Sequence, residues 1–385
     1  MLPLEGVTVV AIEQAIAVPF ATRQLADLGA RVIKIERPKT GDFARQYDST
    51  VRGMSSHFIW CNRSKESITL DLKSDEGKEV LRRLLEKADV FVQNLAPGAL
   101  KRMGFEPNEL VEKHPSLIVC SLSGYGESGP YAHKKAYDLL VQCEAGLVSI
   151  TGTEEEPVKT GIPSADIAAG MYAYTGILTA LLNRMKTGKG TVLEISMLEA
   201  LGEWMGYPMY YSAFGGEEPK RTGASHSTIY PYGPFKCGDG KTVFIGLQNE
   251  REWSTFCKQV LENETLATDK RFHTTARRSD NREILKEIIE KTFDRLTSAE
   301  VLDRLEQAKI ANARLNNMKD FFEHPQLIAR NRWDQVQTPV GSVVALKPPI
   351  NMEGVEAVMA PVPELGEHTE KIMKELGLHN KVKQK

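Results

Sequence analysis

One carboxylate in the chain is set apart. Asp166 opens an uncharged run inside residues 161–190, GIPSADIAAGMYAYTGILTALLNRMKTGKG. No charge follows it until Arg184. Small residues crowd it: Ser164, Ala165, Ala168, Ala169 and Gly170. The small neighbours leave room for something bulky to approach the carboxylate. Ile167, Met171, Tyr174, Leu178, Leu181 and Leu182 recur at helical spacing, so the run predicts a helix with Asp166 near its positive end. Gly188 stops it after Arg184 and Lys186. On this stretch alone, a carboxylate that merely caps a buried helix is the simpler account.

A second set of residues points to an anionic ligand. Arg37, Lys73, Lys101 and Arg102 fall just after apolar segments that read as strands. Singly, such cations are solvated surface charge. Together, on loops gathered at one side of a sheet, they suit a phosphorylated ligand. Other motifs are weak or absent. Residues 124–129, GYGESG, match G-x-G-x-x-G, but Pro130 and the polar AHKK follow where a helix would have to start, so a loop is predicted and a nicotinamide site is not. There is no Walker A, H-E-x-x-H or G-x-S-x-G sequence. The eight histidines, His57, His114, His133, His226, His273, His324, His368 and His379, show no metal spacing, and no metal is expected. His226, on the GASHST loop, is the most interesting of them, though a plain solvent-exposed histidine is the simpler account there.

The elements that must position these residues alternate. Residues 7–12 (VTVVAI), 30–36 (ARVIKIE), 68–72 (ITLDL), 90–92, 117–122 and 192–195 (VLEI) read as strands. Residues 19–27 and 73–87 read as helices between them, and the helix after Asp166 precedes the last strand. This is an α/β pattern, a doubly wound parallel sheet whose ligands bind beyond the strand carboxyl ends. Residues 197–214, MLEALGEWMGYPMYYSAF, read as a buried linker helix or an oligomer contact, with core packing favoured over a cofactor box. Beyond them a strand at 242–247 and helices at 252–261, 283–295 and 298–307 suggest a smaller α+β domain. A strand at 340–345 and a helix at 370–376 close the chain. The domains expected are 1–200, a large Rossmann-like unit; 201–325, a linker and small α+β unit; and 326–385, a return to the first.

Composition sets limits. The chain has 385 residues, 26% charged, with a net charge of −2, so no bulk field selects nucleic acid or a membrane surface. Five cysteines, Cys61, Cys120, Cys143, Cys237 and Cys257, read as reduced thiols. No secretory signal is evident at the start, and a cytoplasmic location is expected. Residues 167–183 barely reach the roughly 17-residue minimum for a membrane span, and a helix buried in protein is expected there. The basic tail HNKVKQK is expected to fray.

Several of these segments, in order, resemble the class III CoA-transferase (CaiB/BaiF) family, which includes formyl-CoA transferase. The match runs through LEGVTVVAIEQAIAVPFATRQLADLGARVIKIERP, NRSKESITLDLKSDEG, ADVFVQNLAPGALKRMGF, SLIVCSLSGYGESGPYAHKKAYD, the Asp166 segment and APVPELGEHTEKIMKELG. The resemblance implies a homodimer of two chains interlocked as rings, and coenzyme A or acyl-CoA as substrate with no permanently bound cofactor. It makes Asp166 the nucleophile. It places CoA contacts on Ala17, Arg37, Leu70, Asp71, Leu72, Lys73, Asn94, Leu95, Ala96, Arg102, Met103, Lys135, Ala136 and Tyr137. It implies an aspartyl anhydride and then an aspartyl-CoA thioester, with backbone N–H groups at the helix start stabilising the oxyanion. Family racemases pair the aspartate with a histidine before the Asp of a G-H-D-like motif. Here Tyr137 precedes Asp138, a poor base with an unperturbed pKa of roughly 10, which favours transfer over racemisation. LGEWMGYPMYY, RTGASHSTIYPYGPF and IGLQNEREW are similar to members that use succinyl-CoA and citramalate, itaconate or mesaconate. On that likeness Arg221, His226 or Tyr230 would hold the acceptor's second carboxylate.

Overall fold

The computed structural model describes residues 1–378; the basic tail at 379–385 lies outside the described residues. Its chain forms two compact units. One comprises Met1–Leu147, Thr160–Tyr207 and the chain from Gln326 onward; the other comprises Val148–Lys159 and Pro208–Pro325.

The first unit is built on six parallel strands: β1 (Thr8–Ile12), β2 (Arg31–Glu36), β3 (Lys65–Thr69), β4 (Val90–Gln93), β5 (Ile118–Ser123) and β6 (Val192–Ser196). Their order is 3-2-1-4-5-6, every neighbouring pair parallel. The period-2 alternation of apolar residues divides the core between the two faces. On one face Val9, Ala11, Val32, Val90, Val92, Ile118 and Cys120 pack with helix residues such as Ala21, Leu25, Ala169 and Ile177. On the other, Val10, Ile33, Ile35, Ile68, Phe91 and Val119 pack with Leu81, Leu84, Leu100 and Ile372. The helices of the chain up to residue 215 are α1 (Ala17–Asp27), α2 (Ser56–Asn62), α3 (Asp75–Leu85), α4 (Ala99–Met103), α5 (Pro107–Lys113), α6 (Asp138–Glu144), α7 (Leu147–Ile150), α8 (Ser164–Thr187), α9 (Met197–Trp204) and α10 (Gly206–Gly215), of which α7 after Leu147 and α10 after Tyr207 belong to the second unit. Residues 124–129 form turns, and the next helix starts only at Asp138, as expected for that glycine-rich loop.

α8 carries Asp166. Its 24 residues are long and apolar enough to cross a membrane, yet Ala165, Ala168, Ala169, Gly170, Ala173 and Ile177 are buried in the first unit's core. Gly170 shows how closely it lies on α1: a Cβ there would stand 2.6 Å from the Ala17 carbonyl oxygen. Gly188, at φ +70°, ends the helix by returning its N–H to the Arg184 carbonyl at 2.7 Å.

Two expectations shift. The third strand runs over Lys65–Thr69, three residues earlier than predicted, because its polar Lys65 and Ser67 are buried among charged partners rather than facing water. The 197–214 segment breaks at Met205 into α9 and α10, and the favoured core packing holds only for α9. In α10 only Pro208 is buried, while Tyr207, Met209, Tyr210 and Phe214 are exposed. From Gln326 onward, α16 (Pro325–Ala329) leads into a hairpin, β10 (Trp333–Thr338) with β11 (Gly341–Leu346), and then α17 (Thr369–Glu375).

The second unit has an antiparallel sheet of β7 (Tyr232–Lys236), β8 (Thr242–Gly246) and β9 (Ala311–Arg314). α11 (Glu250–Thr255) continues into a wider helical turn at Phe256–Val260, and α12 (Thr275–Asp280), α13 (Arg282–Phe293), α14 (Ser298–Gln307) and α15 (Met318–Phe322) follow. Trp253, Phe256, Phe272, Phe293 and Leu305 form its core.

Candidate active site

In a 3-2-1-4 sheet the chain leaves β1 and β4 in opposite directions, opening a crevice beyond their carboxyl ends. Asn94, just after β4, spans that crevice. Its Oδ1 accepts the Gln14 N–H at 2.9 Å and its Nδ2 donates to the Gln14 carbonyl at 2.9 Å. A cleft of about 640 Å³ opens here, lined from the ends of β1 (Ile12, Glu13, Gln14), β2 (Ile35, Glu36, Arg37) and β3 (Leu70, Asp71, Leu72, Lys73), and by Leu95, Arg102 and Met103. Eight of the fourteen expected CoA contacts therefore share one cavity: Arg37, Leu70, Asp71, Leu72, Lys73, Leu95, Arg102 and Met103. Asn94 shapes the wall from behind. Ala17 is buried at the start of α1, and Ala96, Lys135, Ala136 and Tyr137 are not among the residues lining this cavity.

The cleft's cations are exposed, and its carboxylates are balanced from within. Arg37 donates to Gln14 Oε1 at 2.5 Å and lies over the Phe43 ring at 4.3 Å. Three buried acids, Glu13, Glu36 and Asp42, line the same cavity. Lys34 and Lys65, both fully buried, pair with Glu13, and Lys34 also pairs with Asp42. Arg45 pairs with Glu36. The three buried carboxylates thus face three cations, and the exposed Arg37, Lys73 and Arg102, with Asp71 against them, set the potential an anion meets.

Asp166 is half-buried at the first turn of α8. Burial pushes its carboxyl up to about 7, and the neighbouring Asp138 charge adds to the rise. Asp138 caps α8 from α6. Its Oδ1 accepts the N–H of Ala165 at 2.8 Å and of Asp166 at 3.2 Å, and its Oδ2 accepts from Gln142 at 2.7 Å. The Ser164 and Ile167 N–H groups go to Ile162 and Pro163 carbonyls. This corrects one expectation: the helix-start amides are occupied, so they form no open oxyanion hole. Tyr47 is the residue the sequence did not single out. Its hydroxyl is raised by burial and by the charges of Asp42 and Asp166, with Tyr137 also contributing, so it stands in the field of both the cleft and Asp166. The clue lay in the polar run GDFARQYD directly after the second strand.

The three proposed carboxylate holders lie within the second unit. Arg221 donates to the carbonyls of Thr153 at 2.7 Å, Ser149 at 3.1 Å and Glu154 at 2.8 Å. His226 Nδ1 accepts the N–H groups of Thr228 and Ile229 at 3.2 and 3.1 Å, and its ring stacks on Tyr232. Tyr230 is buried in that unit's core, its hydroxyl raised by burial and without a hydrogen-bond partner among the described residues. Each side chain has a structural task where it stands.

The profile of CoA-transferase family III matches residues 4–369. The chain belongs to that family. This CoA-transferase is 34% identical to a human succinyl-CoA:glutarate CoA-transferase, over 97% of this chain and 86% of the relative. It is 31% identical to a succinyl-CoA:mesaconate CoA-transferase of Haloarcula hispanica, over 97% and 96%. Among solved structures, a CaiB/BaiF family protein from Brucella suis superposes with a TM-score of 0.86 at 33% identity, covering 97% of this chain and 99% of that one. The protein is therefore an enzyme, a CoA-transferase of family III.

Proposed function

We propose that this CoA-transferase moves CoA from succinyl-CoA to a C4–C5 dicarboxylic acid through covalent intermediates on Asp166. The observation that carries the reading is a single carboxylate of raised basicity at the start of α8, in the chain segment that follows the cleft-bearing strands. An Asp166 oxygen attacks the thioester carbonyl carbon. The C–S bond breaks, CoA leaves as thiolate, and an aspartyl anhydride remains. The thiolate attacks the aspartyl carbon of the anhydride, which releases succinate and leaves an aspartyl-CoA thioester. The acceptor's carboxylate attacks that thioester and expels the thiolate, giving a second anhydride. A last thiolate attack, on the acceptor's acyl carbon, yields the new acyl-CoA and restores Asp166. One carboxylate has replaced another, with no net proton or electron consumed, so no nucleotide triphosphate is required. The raised pKa serves the first step, since a more basic carboxylate is the better nucleophile. Exclusion of water protects the anhydrides from hydrolysis.

The cleft supports a CoA role for Arg37, Leu70 to Lys73, Asn94 to Ala96, Arg102 and Met103. Lys135, Ala136 and Tyr137 stand on the loop that ends at Asp138, and Ala17 lies against the Asp166 helix. A dicarboxylate acceptor rests on the relatives named for glutarate and mesaconate. We also propose that the enzyme is a homodimer, with exposed Tyr207, Tyr210 and Phe214 of α10 as part of what a second copy covers. Light scattering then gives twice 42.9 kDa.

Intact-mass measurement after succinyl-CoA addition is expected to show a covalent adduct, discharged by hydroxylamine. Asp166→Ala is expected to form none and to lose transfer on the order of 10⁴-fold. Transfer at the wild-type rate by that variant would end the proposal. A panel of acids with succinyl-CoA as donor identifies the acceptor.

A further inference from the structure

The wall of the cleft between β1 and α1 holds a backbone conformation its own sequence does not favour. Ala15 sits at φ +62°, in the left-handed region where a Cβ is crowded. Two side chains from elsewhere hold the turn. Asn94 clamps Gln14 through both its N–H and its carbonyl. Asp42 Oδ1 accepts the Ala15 N–H at 2.9 Å, and also the Ala44 N–H at 2.9 Å. Asp42 is 1% exposed and is itself fixed: its Oδ2 accepts from Lys34 Nζ at 2.7 Å, and its own N–H donates to Glu36 Oε2 at 2.9 Å. Lys34 continues to Glu13 Oε1 at 3.2 Å, at the head of the same turn. The turn thus carries Gln14 to the cleft, and Ala17 to the α1 start that lies against Gly170 of α8, one helical turn beyond Asp166.

We propose that Asp42 is a positioning residue for coenzyme A, one that locks the Gln14–Ala15 turn into the shape of the cleft wall through its hydrogen bond to the Ala15 N–H. It touches no reacting atom. The charge pair with Lys34 removes its freedom to turn away, so the wall exists before the ligand arrives and binding costs less ordering. The proposal rests on the reading that this cleft takes CoA.

Calorimetry with free CoA and steady-state kinetics of acyl-CoA test it together. Asp42→Ala is expected to raise the CoA Kd and the acyl-CoA KM at least 10-fold, with kcat changed less. Adding Ala15→Gly to Asp42→Ala is expected to regain at least 3-fold in Kd, because glycine enters the left-handed region without a Cβ cost. A merely structural Asp42 would not respond to a substitution at residue 15. Ala15→Pro leaves every buried charge in place but removes the bonded N–H and forbids positive φ, so it covers the case in which Asp42→Ala does not fold. It too is expected to weaken CoA at least 10-fold. Folded Asp42→Ala or Ala15→Pro with a Kd within 2-fold of wild type overturns the proposal, as does a double variant no better than Asp42→Ala. Wild-type protein that binds no CoA overturns the reading of the cleft, and the positioning role with it.

Discussion

As the proposed nucleophile, Asp166 has two demands to reconcile: it must be ionised to attack and basic enough to attack well. Burial and the Asp138 charge place its pKa at about 7, above the ordinary carboxylate value. The acylation rate of the free enzyme is therefore expected to climb as pH rises through about 7, measured by single-turnover adduct formation. Asp138→Asn keeps an oxygen to accept the Ala165 and Asp166 N–H groups but removes the like charge. That variant is expected to shift the acid limb to lower pH, and an unmoved limb would leave burial as the sole cause. The same shift has a stability sign. A carboxyl whose folded pKa is raised stabilises fully below its unfolded value and withdraws that contribution as pH rises through the folded one. The Tm advantage of Asp166→Asn over wild type should therefore grow from pH 4 to pH 8. At the opposite extreme stands Glu36. Burial alone would raise it, but the Arg45 hydrogen bonds, the Lys34 charge and Ser67 hold it down at about 2. Its contribution is present above the ordinary carboxylate range and is lost as pH falls toward about 2.

At the scale of elements, the start of α8 is held from two directions. Asp138 caps it from α6, and Gly170 lets it settle on the Ala17 carbonyl of α1. Asp138→Ala removes the cap and is expected to cost about 1 kcal/mol in denaturant unfolding. Gly170→Ala drives a methyl to 2.6 Å from a backbone oxygen that cannot yield as a flexible side chain would. It is expected to cost about 1–3 kcal/mol, with a drop in transfer because both helix starts flank the site. α8 was legible in the sequence because one charge precedes a long apolar run. Its cap was not, since Asp138 reaches Ala165 from 27 residues away and leaves no local signature. The third strand was misplaced for a related reason: Lys65 and Ser67 look like solvent-facing residues until Glu13 and Glu36 are known to meet them. Lys34 and Glu36 inside ARVIKIE were a visible anomaly in a buried strand, but their partners Asp42 and Arg45 lie on a loop whose path only the structure gives.

For the whole molecule, the alternation of strands and helices was enough to read the α/β class and the side of the sheet on which the cleft opens, because connection rules leave few topologies open. The buried charges beneath that side are a whole-molecule property, drawing on β1, β2, β3 and the loop after β2. Lys34→Met would leave Asp42 without its cation and is expected to destabilise the protein by about 3–5 kcal/mol, read as a lower denaturant midpoint. The grouping of residues 148–159 with 208–325 was the part least available to sequence reasoning. Arg221 grips that segment through main-chain carbonyls, which any residue supplies and no pattern records.

That grip decides how the smaller unit can be inherited. It is not a cassette that recombination could lift out between positions 208 and 325, because a dozen of its residues are threaded in from upstream, just ahead of Asp166. A chimera that takes only one piece keeps this grip only where the relative's backbone follows the same path beneath the guanidinium. Donor preference and acceptor preference, if divided between the two units, would then diversify by point changes within one lineage rather than by exchange of parts.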